Sequence, residues 1–122
     1  MRQEDKELVL KDICARLPYG VKVNTIQGDF TLLGLINERV FTTCEVEGCH
    51  NDFPIECIKP YFFPLSSMTE EQEKEYNDLN CYELGCFPHT EEALDYLIKN
   101  HFDYRDLIPR ELAIDATGLH IY

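Results

Sequence analysis

Residues 58–72 read IKPYFFPLSSMTEEQ: two prolines frame three consecutive rings, and hydroxyls and acids follow. Neither Pro60 nor Pro64 can donate a ladder hydrogen bond, so the stretch predicts an edge strand, with Tyr61 and Phe63 on one side and Phe62 on the other. One side belongs to a core; the other must receive a later helix or stay open to a partner. Immediately downstream, Thr69 and Gln72 stand three residues apart, hydroxyl before amide. That is a capping box, and it predicts a helix over 70–79. Tyr76 and Leu79 supply nearly all its apolar surface, so it should lie solvated on the outside.

Working outward toward the N-terminus, ELVLKDICARL (7–17) places Leu10, Ile13, Cys14 and Leu17 on one helical face, and LPYG stops the helix. Short β-branched runs follow: VKVNTI (21–26), FTLLGLI (30–36) after a QGD turn, VFTTCEV (40–46) after NER, and FPIECI (53–58) after EGCHND. Four or five short strands joined by tight turns bury their apolar face by curling into a small, partly open SH3-like barrel. A flat meander backed by helices is the competing arrangement.

Toward the C-terminus, NCYELGCFPH (80–89) reads as a loop and Thr90 as the cap of a helix. Its stripe of Ala93, Leu94, Leu97, Ile98, His101 and Phe102 should dock on the sheet. ELAIDATGLHIY (111–122) reads as an extended tail or an added strand. The expected fold class is therefore α+β: an N-terminal helix, an SH3-like small β-barrel and two C-terminal helices. One domain over 1–122 is expected, with helix plus barrel in 1–65 and a helical extension and tail in 66–122.

The formal net charge is −12, and residues 66–122 hold thirteen acids against four bases. Such a surface repels phosphate backbones, which argues against direct nucleic-acid binding. Charges interrupt MRQEDKELVLKD where a signal peptide needs an apolar run, and no stretch is apolar enough to span a bilayer, so a cytoplasmic protein without membrane contact is expected. In that compartment the six cysteines read as reduced thiols, with Cys14 and Cys57 as small buried hydrophobes.

Cys44, Cys49 and His50 in one loop and Cys81, Cys86 and His89 in another invite comparison with zinc knuckles. Each cysteine pair has four intervening residues where knuckles have two, so free thiols and no metal are expected. No nucleophile elbow, protease signature or glycine-rich phosphate loop is present. The chain therefore reads as a non-enzyme without a cofactor.

KNHFDYRDLIP (99–109) brings His101, Phe102, Tyr104 and Arg105 together at a helix end. Such a set can stack on a base and grip a phosphate or carboxylate. The structural alternative is a cation favoured at a helix C-terminus, with Arg105 paired to Asp103 or Asp106.

CARLPYGVK (14–22), IKPYFFPLSSMTEEQEKEY (58–76) and NHFDYRDLI (100–108) resemble blocks of a widespread set of small proteins carried by phages and prophages of gut Bacteroidota. The resemblance brings no catalytic residues with it. It implies a phage-encoded accessory protein in the bacterial host's cytoplasm, one that works by stoichiometric binding in the manner of anti-defence proteins. The expected ligand is small, anionic and nucleotide-like, held by Tyr61, Phe63, His101 and Tyr104 as ring walls or polar anchors and by Arg105 as the anion anchor. The alternative is a host protein, inhibited through an aromatic and acidic surface, with homo-oligomerisation through an edge strand or aromatic face.

Overall fold

The structure is a computed structural model, and it describes residues 2–43, 52–79 and 91–122. Helix α1 (Gln3–Arg16) runs into a short 3-10 turn, Leu17–Tyr19, and Gly20 ends it in the left-handed region at φ 70°. Strands β1 (Lys22–Thr25), β2 (Gly28–Ile36) and β3 (Arg39–Thr42) form an antiparallel meander, with β4 (Asp52–Pro54) added to β3. The first hairpin turns at Gly28, whose φ of 127° only glycine adopts readily. Strand β5 (Lys59–Pro64) leads into α2 (Glu70–Leu79); α3 (Glu91–Lys99) precedes β6 (Phe102–Asp103) and β7 (Ile114–Asp115).

The chain is thus mixed α+β, with an N-terminal helix and two later helices. Among the described residues, seven strands make one open sheet in the order β4-β3-β2-β1-β5-β6, with β7 also paired to β5. Among the described residues, no helix is long and apolar enough to cross a membrane.

The proline-framed strand is not at the edge. Its first residues pair antiparallel with β1 (Val23 opposite Pro60), its middle pairs parallel with β7 (Tyr61 opposite Ile114), and its end pairs parallel with β6 (Phe63 opposite Phe102). Ala116 N–H donates to Phe62 O, and Phe63 N–H donates to His101 O, both at 2.8 Å. Adjacent residues of a strand direct their backbone groups to opposite edges, so β7 and β6 flank β5 on opposite sides. Pro60 and Pro64 are tolerated because they stand toward the two ends of the strand, while Phe62 O and Phe63 N–H between them make the bonds to β7 and β6.

One core joins both halves of the chain: Val9 and Ile13 of α1, Val21 and Val23, Leu32, Val40, Phe53, Ile55 and Phe62 pack with Leu107, Leu112 and Ala113. The buried side of α1 is rotated from the one its apolar residues suggest. Val9, Asp12, Ile13 and Arg16 face inward, and Cys14 is exposed. Cys57 is exposed too, so neither thiol is the buried hydrophobe its pattern predicts. Asp12 and Arg16, four residues apart, pair on that inner face, where Arg16 meets the Phe62 ring and Phe102 O.

The predicted capping box forms as written: Thr69 N–H donates to Gln72 Oε1 at 3.0 Å and Gln72 N–H to Thr69 Oγ1 at 3.1 Å. Helix α2 buries no residue, as its composition implies. Helix α3 buries Ala93, Leu97 and Ile98 from the predicted stripe, and the tail supplies an added strand, β7. The cap assigned to Thr90 and the two cysteine loops, with Cys44, Cys49, His50, Cys81, Cys86 and His89, lie outside the described residues.

Candidate ligand-binding site

Three segments converge beside the end of β5. After Pro64 the chain makes a 3-10 turn in which Ser67 Oγ donates to Pro64 O at 2.7 Å, bringing Ser67 and Gln72 to one side. Helix α3 ends with Asn100 N–H donating to Tyr96 O and His101 N–H to Ile98 O; His101 itself takes a left-handed φ of 65°. That reversal lays Phe102 beside Phe63 in the sheet. The third segment is the turn after β7, from Thr117 and Gly118 to Tyr122.

Between them lies a cleft of about 440 Å³. Phe63, Phe102, His101 and Tyr122 form its ring-lined side, with Ser67, Gln72, Asn100 and Thr117 as polar lining. The Tyr122 ring stacks on His101 with centroids 3.7 Å apart and planes 12° from parallel, and it meets Phe63 at 5.8 Å in a tilted contact. Tyr122 is fixed by its hydroxyl, which donates to Tyr61 O at 2.7 Å and accepts from Lys22 N–H at 2.9 Å.

The electrostatics are simple. Burial, helped by the nearby Arg16 charge, pushes the His101 pKa down to about 4, so the imidazole is neutral at neutral pH. Burial likewise pushes the Tyr122 phenol up to about 12. Lys99 at the end of α3 is therefore the one charged side chain among the described lining residues, which include no Asp or Glu.

Of the five residues expected to hold a ligand, Phe63 and His101 meet in this cleft. Tyr61 lies behind it, 6% exposed, its hydroxyl donating to Asp29 Oδ1 at 2.7 Å. Tyr104 and Arg105 belong to a different cluster built around a fully buried ion pair. Arg16 Nε lies 2.9 Å from Asp12 Oδ2, and Arg16 Nη2 donates to Phe102 O at 2.6 Å. The Arg16 guanidinium sits 3.9 Å from the centre of the Phe62 ring and 5.2 Å from that of Tyr104.

Arg105 Nε approaches Asp12 Oδ1 at 3.3 Å and donates to Tyr104 Oη at 3.2 Å. It pairs with neither Asp103 nor Asp106, the two partners its sequence neighbourhood offers. Asp103 instead accepts the Leu107 and Ile108 N–H groups at 3.0 and 2.9 Å, holding the turn after β6. Burial raises the Asp12 pKa against the lowering effect of Arg16, which marks how much desolvation the cluster bears.

Sequence reasoning passed over Lys99, Asn100, Ser67, Gln72 and Tyr122 as cleft residues. The first four lie inside the two stretches whose composition stands out, 58–72 and 99–109, so their neighbourhood was marked although their roles were not. Tyr122 carries no sequence signal; only the fold brings it to His101.

No family model matches this chain. No curated protein and no solved structure matches it either.

Proposed function

We propose that this protein is a non-enzymatic, phage-encoded accessory protein of anti-defence type, working in the cytoplasm of a bacterial host, that binds and sequesters a small anionic, nucleotide-like ligand in the cleft beside β5. In this reading the open sheet is an SH3-like barrel that stops short of closure. The observation that carries the proposal is the lining itself. In a chain of net charge −12, this ring-walled cleft has one lysine and no Asp or Glu side chain among the described residues. A flat aromatic face with a few polar anchors is what a base and its sugar phosphate require, and its volume is within the ~300–1,000 Å³ of small-molecule sites. The phage setting comes from the sequence resemblance alone.

Thermal denaturation of the whole chain against a panel of linear and cyclic nucleotides tests the proposal. A ligand specific to the folded state raises the melting temperature progressively above its dissociation constant. A dose-dependent rise that Phe63→Leu and Lys99→Ala both reduce is expected; a flat response across the panel removes the ligand-binding reading.

A second reading has its own observation. Ile26, Leu33 and Ile36 are 87, 62 and 62% exposed along the β1–β2–β3 meander, apolar side chains that a partner could cover. In that reading the protein inhibits a host protein, or pairs with its own copy, through this surface. Leu33→Lys with Ile36→Lys would then abolish co-elution with the partner or convert an oligomer to a monomer, while leaving nucleotide-induced stabilisation untouched.

A further inference from the structure

The cleft offers more than a general preference for anions, because its charge is countable. Lys99 is the one cation among its described lining residues, His101 is held neutral by burial, and Arg16, Arg105 and Lys22 have partners of their own. Arg16 and Arg105 share Asp12, and the Lys22 ammonium donates to Thr31 Oγ1 at 2.6 Å. The α3 C-terminus, with its negative dipole end, faces the same space, and Lys99 is the residue that offsets it. Glu70, Glu71 and Glu73 stand in the first turn of α2, the helix that contributes Gln72 to the lining, and add no positive charge there. A second or third phosphate would meet no further cation among the described lining residues, beside the carbonyl end of α3.

The neutral groups complete the specification. Gln72 Oε1 is taken by the Thr69 amide, which leaves the side-chain NH2 as a donor, and Ser67 Oγ, donating to Pro64 O, keeps an acceptor lone pair. Asn100 donates through Nδ2 to Tyr96 O at 2.8 Å, so its carbonyl oxygen is the atom left to accept. One donor and two acceptors of this kind suit ribose hydroxyls and a base edge. The volume, about 440 Å³, is near the small end of ligand sites.

Resting on the binding reading above, we infer that the cleft takes a nucleoside monophosphate: one base against the Phe63, His101 and Tyr122 rings, and one phosphate at Lys99. Nucleoside di- and triphosphates and cyclic dinucleotides are poorer ligands, the first two for want of counter-charge and the last for want of room.

Thermal-shift and calorimetric titrations of the full chain with adenosine, AMP, ADP, ATP and cyclic di-AMP, and with the guanine and uracil equivalents, test this at fixed ionic strength. The monophosphates are expected to bind about 10- to 100-fold more tightly than the nucleosides, the contribution of one charge-assisted contact. They should also bind more tightly than the triphosphates and dinucleotides. Lys99→Ala, at an exposed position where folding is not at stake, should make AMP and adenosine equivalent. Tighter binding of a triphosphate or a cyclic dinucleotide would overturn the inference and leave the binding reading standing. So would a preference for AMP over adenosine that survives in Lys99→Ala. A panel in which nothing binds would overturn both.

Discussion

Tyr122 lies flat on His101, ring centroids 3.7 Å apart, and the same tyrosine hydroxyl bridges the backbones of Lys22 in β1 and Tyr61 in β5. A residue of the C-terminal segment thus ties two neighbouring strands to the turn after α3. It is both a wall of the cleft and a clamp on the sheet that carries it.

Tyr122→Phe keeps the stack and loses both hydrogen bonds. Tyr122 is 41% exposed, so water can replace part of what is lost, and urea denaturation should show a destabilisation of about 1 kcal/mol. Tyr122→Ala should cost more and weaken ligand binding as well. Equal stability of wild type and both variants would show that the clamp does nothing.

The pH dependence of stability follows from His101. Its folded pKa of about 4 lies below the ordinary 6.5, so between those values the unfolded chain binds more protons than the folded one. Stability from this group is complete above pH 6.5 and is lost as pH falls toward 4. The urea midpoint of His101→Gln should therefore fall less steeply than wild type from pH 7 to 4.5. Parallel curves would place the proton elsewhere.

Arg16→Met removes one partner of a fully buried pair and strands Asp12, which should cost ~3–5 kcal/mol. Asp12→Leu combined with Arg16→Met replaces the pair with apolar volume and should recover most of that loss. A double variant as unstable as the sum of the two single ones would mean that Asp12 and Arg16 act independently and not as a pair.

Thr69→Ala breaks the capping box at α2, for which ~1 kcal/mol is the usual cost. Because α2 buries no residue, the loss should appear locally, as faster hydrogen exchange of α2 amides, with little change in the global midpoint. A large global shift would show that α2 is part of the cooperative core.

Cys14 and Cys57 are exposed on the folded protein. Brief alkylation under native conditions followed by peptide mapping should label both, and Cys14→Ser and Cys57→Ser should each change stability by less than about 0.5 kcal/mol. Protection of either thiol until denaturant is added would contradict the orientation of α1 or of the turn before β5.

Local chemistry was legible in the sequence wherever a rule acts over a few residues. The Thr69–Gln72 box, the bounds of α2, the stop at Gly20 and the turn at Gly28 depend on backbone groups within reach of their own neighbours. The apolar side of α3 was equally readable. The orientation of α1 was not, because a periodicity count treats Asp12 and Arg16 as outward residues. Their burial depends on Phe62, Phe102 and Arg105, which are distant in sequence. The placement of β5 differs for a related reason: proline removes one donor at its own position, and the neighbouring residues of β5 still pair with β1, β6 and β7.

The amino-acid order alone determined the class of fold, the elements flanking 58–72, the acidity of the surface and the two stretches from which most of the cleft is drawn. Those follow from propensity, capping and charge, which need no distant partner. The tertiary structure alone decided that Tyr122 completes the cleft, that Lys99 is its cation and that Arg105 is committed to Asp12. Each of these is a contact between segments far apart in the chain, set by how the sheet brings β1, β5, β6 and β7 together, and no local pattern encodes such a meeting.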